Sequence, residues 1–453
     1  MRNIGNYRLL EILGYGGMAR VFKAMHLARG ALVALKLLRP REMTVRLLGQ
    51  AEIRRRFFDE ARIMGMLRHP HIAAVHEAGE YAGHPFFVQE YLCFNLGMLI
   101  GESARVERLT RPLSPIKSAR MISQTLDGLA ALHDAGIVHR DIKPSNLMLT
   151  RQADVKIIDL GLSRREGSMQ KQPPGMIIGS PYYAAPEQEA DPETAGSRAD
   201  LYSVGVVFYR LVTGKLPDHT RGYTDRGSHL GAEWAAFLKT ALAPEPHKRF
   251  SSARAMKKAT EELGRQWEKR RDQVCRLPES ETTAVVVPAA FRTSLRSNPV
   301  RTGRKIPMAS KGLNRLLQPV SHIENTFQKH DEGTLDLSTN LVWAASASDI
   351  PMDLEQAMDF VAALNRKRSA RKPLPEWRLP TIDELVSLLR KRDSLETFCK
   401  PSMDQLKKVT WLWSADMQSR TKAWIVDLEQ GAVMPLDRMC SIHVLPVRDS
   451  GNG

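Results

Sequence analysis

One run of the chain, Ile137-Val138-His139-Arg140-Asp141-Ile142-Lys143-Pro144-Ser145-Asn146, followed further on by Asp159-Leu160-Gly161, gathers two carboxylates, an amide and an ammonium within a short distance. Oxygen donors of this kind hold a metal-bound phosphate, and a carboxylate beside a lysine can orient a hydroxyl nucleophile and neutralise charge on a moving phosphoryl group. The chemistry indicated is phosphoryl transfer. The alternative is a set of charged turns on an ordinary mixed domain, which chance order and spacing rarely reproduce. Two apolar pieces, Leu147 to Leu149 and Val155 to Ile158, read as short strands framing these residues.

Other elements must deliver partners to this run. Tyr7 to Leu13 alternates as a strand and enters Gly14-Tyr15-Gly16-Gly17-Met18-Ala19-Arg20-Val21, where glycines at a hairpin tip let backbone amides approach phosphate oxygens. Ala31 to Lys36 is an apolar strand ending in a lysine, which either snorkels to solvent or serves a site. The stretch from Arg56 to His69 repeats apolar residues at helical spacing until Pro70 stops it, while Met43 to Ile53 reads as an extra loop without an assigned role. Pro85 to Leu92 reads as a buried strand. Ile116 to Ala135 is a helix with Ile122, Leu126, Leu129 and Leu132 on one stripe and Gly136 as its stop.

In order and spacing, these segments resemble bacterial serine/threonine protein kinases of the eukaryotic-like type, over about residues 7 to 263. The resemblance implies a two-lobed fold, ATP and magnesium as cofactors, and transfer of the γ-phosphate to protein serine or threonine, the chain's own included. By resemblance Asp141 accepts the hydroxyl proton, Lys143 neutralises charge, Lys36 pairs with the phosphates and with Glu60, and Asn146 and Asp159 hold magnesium. Leu13, Gly14, Gly16, Gly17, Val21, Ala34 and Lys36 would line the nucleotide site, with Gln89 as gatekeeper and the backbone of Glu90 and Leu92 on the adenine edge. Three positions depart from the family: Ala19 replaces the third loop glycine, Leu160 stands where Phe is usual, and the gatekeeper Gln89 is polar. Gly179 to Gln188 resembles the end of an activation segment, with Ser180 at the acceptor position and Ser168 as the candidate phosphosite opposite Arg140. Asp200 is expected to cap a helix or pin the catalytic loop, and Arg249 to pair with Glu187. The competing class is a nucleotide-binding pseudokinase scaffold, against which Lys36, Asp141 and Asp159 all stand.

Across its 453 residues the chain carries a net charge of +16, and residues 264 to 329 hold 13 Lys/Arg against 5 Asp/Glu, half of that excess. A solvated basic tether is expected there, in preference to a nucleic-acid or acidic-partner surface. Thr282 and Thr283 are candidate autophosphorylation sites within it. Apolar runs are too short to cross a membrane, Ala284 to Ala290 being broken by Pro288, and the N-terminus lacks a secretory core, so the cytosol is the expected compartment. Cys93, Cys275, Cys399 and Cys440 are scattered and read as reduced thiols.

Five of the seven tryptophans fall between Trp343 and Trp424. Aromatics so dense make either a small, strand-poor core or a ligand surface, with core favoured. Thr339 to Trp343, a helix near Leu354 to Leu364, Trp377-Arg378-Leu379-Pro380-Thr381, Trp413-Ser414-Ala415 and Ala423 to Gly431 follow in an order that resembles a bacterial adhesin-type module with a C-type-lectin-like fold. Trp377 to Thr381 also resembles the formylglycine-generating enzyme family. Thr381 should cap the helix Ile382 to Arg390, with Glu384 closing a capping box. The absence of calcium-sugar motifs disfavours calcium-dependent carbohydrate binding, leaving a binding or sensing module, or a structural appendage. The expected architecture is therefore α+β: a kinase domain at 7–263, a basic flexible linker at 264–334 and a lectin-like domain at 335–450.

Overall fold

The computed structural model describes residues 3–160, 164–165, 180–191, 195–218, 230–274, 293–303, 312–367, 375–389, 406 and 409–451. It divides into two compact units, Met1–Arg276 and Leu277–Gly453. Ser168, Gly161, Thr282, Thr283, Cys275 and Cys399 lie outside the described residues. No described helix is long and apolar enough to cross a membrane. Cys93 in the first unit and Cys440 in the second are each disulfide-bonded, which corrects for these two the reading of all four cysteines as reduced thiols.

The first unit begins with β1 (Asn3–Ile4), β2 (Tyr7–Tyr15), β3 (Ala19–His26), β4 (Leu32–Leu38), α1 (Glu42–Leu48), α2 (Gln50–Met66), β5 (Val75–Tyr81) and β6 (His84–Glu90). The strands form one antiparallel sheet in the order β1-β2-β3-β4-β6-β5. Side chains of a strand alternate between faces, so Leu35, Leu37, Phe86 and Val88 make one core while Leu38 and Phe87 join α2 in another. On α2 the residues Ile53, Phe57, Glu60, Ala61 and Met64 are buried at helical spacing, which turns Glu60 inward with the apolar stripe. The stretch expected as a structureless loop after β4 is instead α1, divided from α2 by Gly49 at φ 76°, a left-handed angle suited to glycine.

Next come β7 (Phe94–Asn95), α3 (Leu96–Ile100), α4 (Pro115–Asp134), β8 (Ile137–Val138), β9 (Leu147–Leu149), β10 (Val155–Ile157), β11 (Arg164–Arg165), α5 (Pro186–Ala190), α6 (Ser197–Thr213), α7 (Ala232–Ala241) and α8 (Ala253–Val274). Ser114 caps α4 by accepting the Lys117 amide at 3.2 Å, and Pro115 occupies the first turn, where its missing N–H costs nothing. Leu126, Leu129 and Leu132 are fully buried, so α4 is a central support against which α6 and α8 pack. β9 and β10, the two short strands expected, pair antiparallel and present the loops that precede and follow them side by side.

In the second unit, β12 (Phe327–His330), β13 (Gly333–Asp336), β14 (Leu341–Ala344) and β18 (Val447–Asp449) form one antiparallel sheet. β15 (Trp411–Met417), β16 (Lys422–Asp427) and β17 (Ala432–Asp437) form another, with α9 (Leu354–Lys367) and α10 (Ile382–Ser387) as its helices. All five tryptophans are buried, so the aromatics are core, but the unit is not strand-poor. The capping box forms: the Glu384 amide donates to Thr381 Oγ1 at 3.3 Å and the Thr381 amide to Glu384 Oε2 at 2.8 Å.

The expected linker 264–334 differs at both ends. α8 continues to Val274, and the described residues from Thr293 onward are tied into the second unit, beginning with the Thr293 amide on the Ser338 carbonyl. Arg296 donates to Asp383 Oδ2 at 2.8 Å and, through both terminal nitrogens, to Asp416 at 2.8 Å, and β12 adds a strand to the first sheet. Basic composition concealed this because Arg296 answers acids far along the chain.

Candidate active site

The catalytic run leaves α4 through Gly136 and β8. Its backbone is held by Asp200, fully buried in the first turn of α6, whose Oδ2 accepts the His139 amide at 2.9 Å and whose Oδ1 accepts the Arg140 amide at 2.7 Å. His133 Nε2 lies 2.8 Å from the same carboxylate. Burial works against ionisation of Asp200, yet the bond and charge of His133, the charge of His139 and the Arg140 amide hold its carboxyl below the ordinary value. Asp200 thus pins the loop, and the N-cap of α6 is Gly196. The pin restrains a costly conformation, for Arg140 sits at φ 70°, a left-handed angle that non-glycine residues seldom adopt and that Asp159 shares at 66°. The Gln188 amide nitrogen adds a bond to the Arg140 carbonyl at 3.0 Å.

Around Asp141 the side chains converge. Lys143 Nζ donates to Asp141 Oδ2 at 2.7 Å and to Ser180 Oγ at 2.9 Å, while Ser180 Oγ donates to Asp141 Oδ1 at 3.1 Å. Asn146 Nδ2 donates to the Asp141 carbonyl at 2.8 Å and to Oδ2 at 3.0 Å. A hydroxyl, an ammonium and a carboxylate are thus held in mutual hydrogen bonding, an arrangement suited to accepting an alcohol proton.

Facing this loop, Lys36 Nζ reaches Glu60 at 2.7 and 2.9 Å and Asp159 Oδ1 at 2.7 Å. Register places Lys36 opposite Val21 on β3 and Phe87 on β6, so the sheet aims the lysine under the β2–β3 hairpin. Burial alone would lower the Lys36 value, but the charges of Asp159 and Glu60 win and raise it, keeping the ammonium protonated. Burial pushes the Glu60 carboxyl up to about 7, opposed by Lys36 and reinforced by the nearby charge of Asp159.

At the hairpin, Gly14 pairs with Val21 and Tyr15 with Arg20, and the Gly16 amide donates to the Ala19 carbonyl at 2.9 Å. A Cβ on Gly16 would approach that carbonyl oxygen to 3.2 Å, so glycine keeps the turn tight. Glu90 is more than a backbone element, for its Oε1 takes Lys156 Nζ at 2.7 Å and the Ala74 amide at 2.9 Å. Sequence spacing gave no sign of that strut. The long-range pair was legible: Arg249 grips Glu187 at 2.6 and 2.7 Å and donates to the carbonyls of Ala243, Arg198 and Pro244. Also unforeseen, Tyr183 donates to Glu102 at 2.5 Å, and Glu102 lies 3.2 Å from Arg210 Nε.

The protein kinase domain family matches residues 7–261, and the Lcl C-terminal domain family matches residues 332–448. The serine/threonine-protein kinase PknA of Mycobacterium tuberculosis is 37% identical over 214 residues, 47% of this chain and 48% of that protein. Serine/threonine-protein kinase Pkn1 of Myxococcus xanthus is 32% identical over 276 residues, 56% of this chain and 38% of that protein. A probable serine/threonine-protein kinase of Streptomyces coelicolor is 34% identical over 277 residues, 56% of this chain and 39% of that protein. The chain spans less than half the length of each of these relatives. With the first family match covering more than half of the sequence and its signature residues gathered around one site, the chain belongs to the protein kinase domain family.

Proposed function

We propose that the first unit is a serine/threonine protein kinase that passes the γ-phosphate of ATP to protein hydroxyls, its own among them. The observation that carries this is the Asp141–Lys143–Ser180 triangle, which already holds a serine hydroxyl against the carboxylate that would accept its proton. Asp141 orients the attacking oxygen, and Lys143 offsets charge on the phosphoryl group. Lys36, steadied by Glu60, meets the nucleotide phosphates under the glycine hairpin. Leu13, Val21 and Ala34 face the base, with the backbone of Glu90 and Leu92 at its edge. Protein kinases use ATP with a divalent metal, generally magnesium. The donor set here fits such an ion: Asn146, whose Nδ2 is bonded to Asp141, would offer its amide oxygen, and Asp159 would add a carboxylate. No group of three or more His, Cys, Asp or Glu suited to a metal occurs among the described residues. Phosphate oxygens and water would therefore complete the shell, as magnesium prefers. The bound metal would supply charge neutralisation at the phosphates. Use of ATP supports the cytosol as the compartment of the kinase unit.

For the second unit we infer a binding or sensing module of C-type-lectin-like fold, supported by its match to the Lcl C-terminal domain family and by its two small antiparallel sheets with helices. It would gather a protein or small ligand beside the kinase, raising the local concentration of substrates.

Purified protein with labelled ATP and magnesium tests both readings. Asp141→Asn and Lys36→Met should each lower transfer by about 10²-fold or more with the melting temperature retained, since positioning and charge stabilisation supply this chemistry. Transfer that survives both substitutions would sink the kinase reading. Removing residues 277–453 should change which proteins of a cell lysate are labelled, and an unchanged set would end the recruiting role.

A further inference from the structure

The helix α1, between β4 and α2, buries none of its residues completely. Besides the Glu42–Arg46 pair within it, α1 and the residues leading into it bond to the far limb of the glycine hairpin. The Gly17 carbonyl accepts two hydrogen bonds, from the Arg41 amide at 3.0 Å and from Thr44 Oγ1 at 3.1 Å. The next carbonyl, that of Met18, accepts the Arg39 amide at 3.1 Å. On the other face, Val45 and Leu48 pack with Met18 against the buried cluster of Ala19, Leu38, Ile53, Phe57, Ala61 and Phe87. Phe57 lies one turn before Glu60 on α2, so a single cluster joins the hairpin limb to the helix that bears the carboxylate of the Lys36 pair. The methyl of Ala19, at the position where the family has glycine, is buried in that cluster and gives the limb a side-chain anchor.

We propose that α1 is a clamp on the nucleotide-covering hairpin, with Thr44 as a positioning residue for the β- and γ-phosphates of ATP; this rests on the kinase reading above. A glycine hairpin buys close approach to phosphate at the cost of conformational freedom, and that freedom must be lost again when nucleotide binds. Two hydrogen bonds on one glycine carbonyl remove part of it in advance. The gain belongs to nucleotide affinity, because Thr44 touches neither Asp141 nor its partners.

The experiment uses the full chain with Thr44→Val, which keeps the shape and removes the hydroxyl donor, and Thr44→Ser, which keeps the donor. A second variant, Arg41→Pro, deletes the other donor to Gly17 at a φ of −71° that proline adopts without strain. Binding of a fluorescent ATP analogue with magnesium, KM for ATP, kcat, and amide exchange over residues 14–18 are measured. Thr44→Val and Arg41→Pro should weaken nucleotide binding and raise KM by about threefold to tenfold, the range of one net hydrogen bond, with kcat within about twofold. Exchange of the hairpin amides should speed up, and Thr44→Ser should restore all three. Unchanged binding and exchange in both disrupting variants would overturn the clamp, as would a loss of kcat equal in Thr44→Val and Thr44→Ser. Because binding and exchange need no turnover, a wild-type chain that binds nucleotide but transfers nothing would refute the kinase reading and leave the clamp to be judged on these two measurements.

Discussion

At the scale of single residues, Glu60 joins two opposed requirements. Its carboxyl, ordinarily near 4.5, is pushed up to about 7 by burial. Between these values the folded chain carries a proton there that the unfolded chain does not, so this contribution to stability is present at low pH and is lost as pH rises through the window. Activity should move the other way, because only the ionised carboxylate can hold Lys36 against its charge. Melting temperature and phosphoryl-transfer rate measured from pH 5 to pH 8 should therefore show crossed trends, and Glu60→Gln should flatten the stability trend while leaving the enzyme weak throughout. Parallel trends, or an unchanged slope in Glu60→Gln, would contradict this account. The grouping of such residues was legible in the sequence because it is encoded locally: Asp141, Lys143 and Asn146 lie within six residues of chain, and Lys36 follows a glycine loop. Thr44 was not, since a lone threonine in a polar stretch carries no pattern until the backbone brings it to the Gly17 carbonyl.

At the scale of elements, the catalytic loop is held by α6. Asp200→Ala would leave the buried His139 and Arg140 amides without an acceptor, at about 1–3 kcal/mol for each. With the left-handed Arg140 no longer over-determined, the loop should relax, so kcat falls while nucleotide affinity stays nearly constant. Thermal unfolding together with ATP-analogue binding checks this, and a variant as stable and as fast as wild type would show the pin to be dispensable. Helices and strands with strong periodicity, α4 and β6 among them, could be placed from sequence because burial of one stripe dictates the pattern. α1 could not be, having no fully buried stripe to betray it, and the missing β12 reflects the same limit: four residues, none of them buried, leave no alternation to read.

At the scale of the whole molecule, the division into two units was legible from composition, but its boundary was not. Arg296 lies within the basic stretch, and its ion pairs with Asp383 and the fully buried Asp416 become visible only when the chain is folded. A fragment of residues 277–453 should therefore melt cooperatively, whereas 330–453 should be less stable by at least about 3 kcal/mol, the lower end for an uncompensated buried charge. Equal melting temperatures would mean that the leading segment is ornamental. The chain's +16 draws anions from a distance, yet the site itself carries no surplus of positive charge: two ammonium groups, Lys36 and Lys143, face the carboxyls of Glu60, Asp141 and Asp159. Polyphosphate alone would be attracted to the protein and then meet carboxylates beside each ammonium of the site. The pocket is in this sense a filter for metal-loaded nucleotide, and ATP titrated in the presence of a chelator should bind at least about tenfold more weakly than with magnesium, a difference of about 1.4 kcal/mol that one unscreened charge contact readily exceeds.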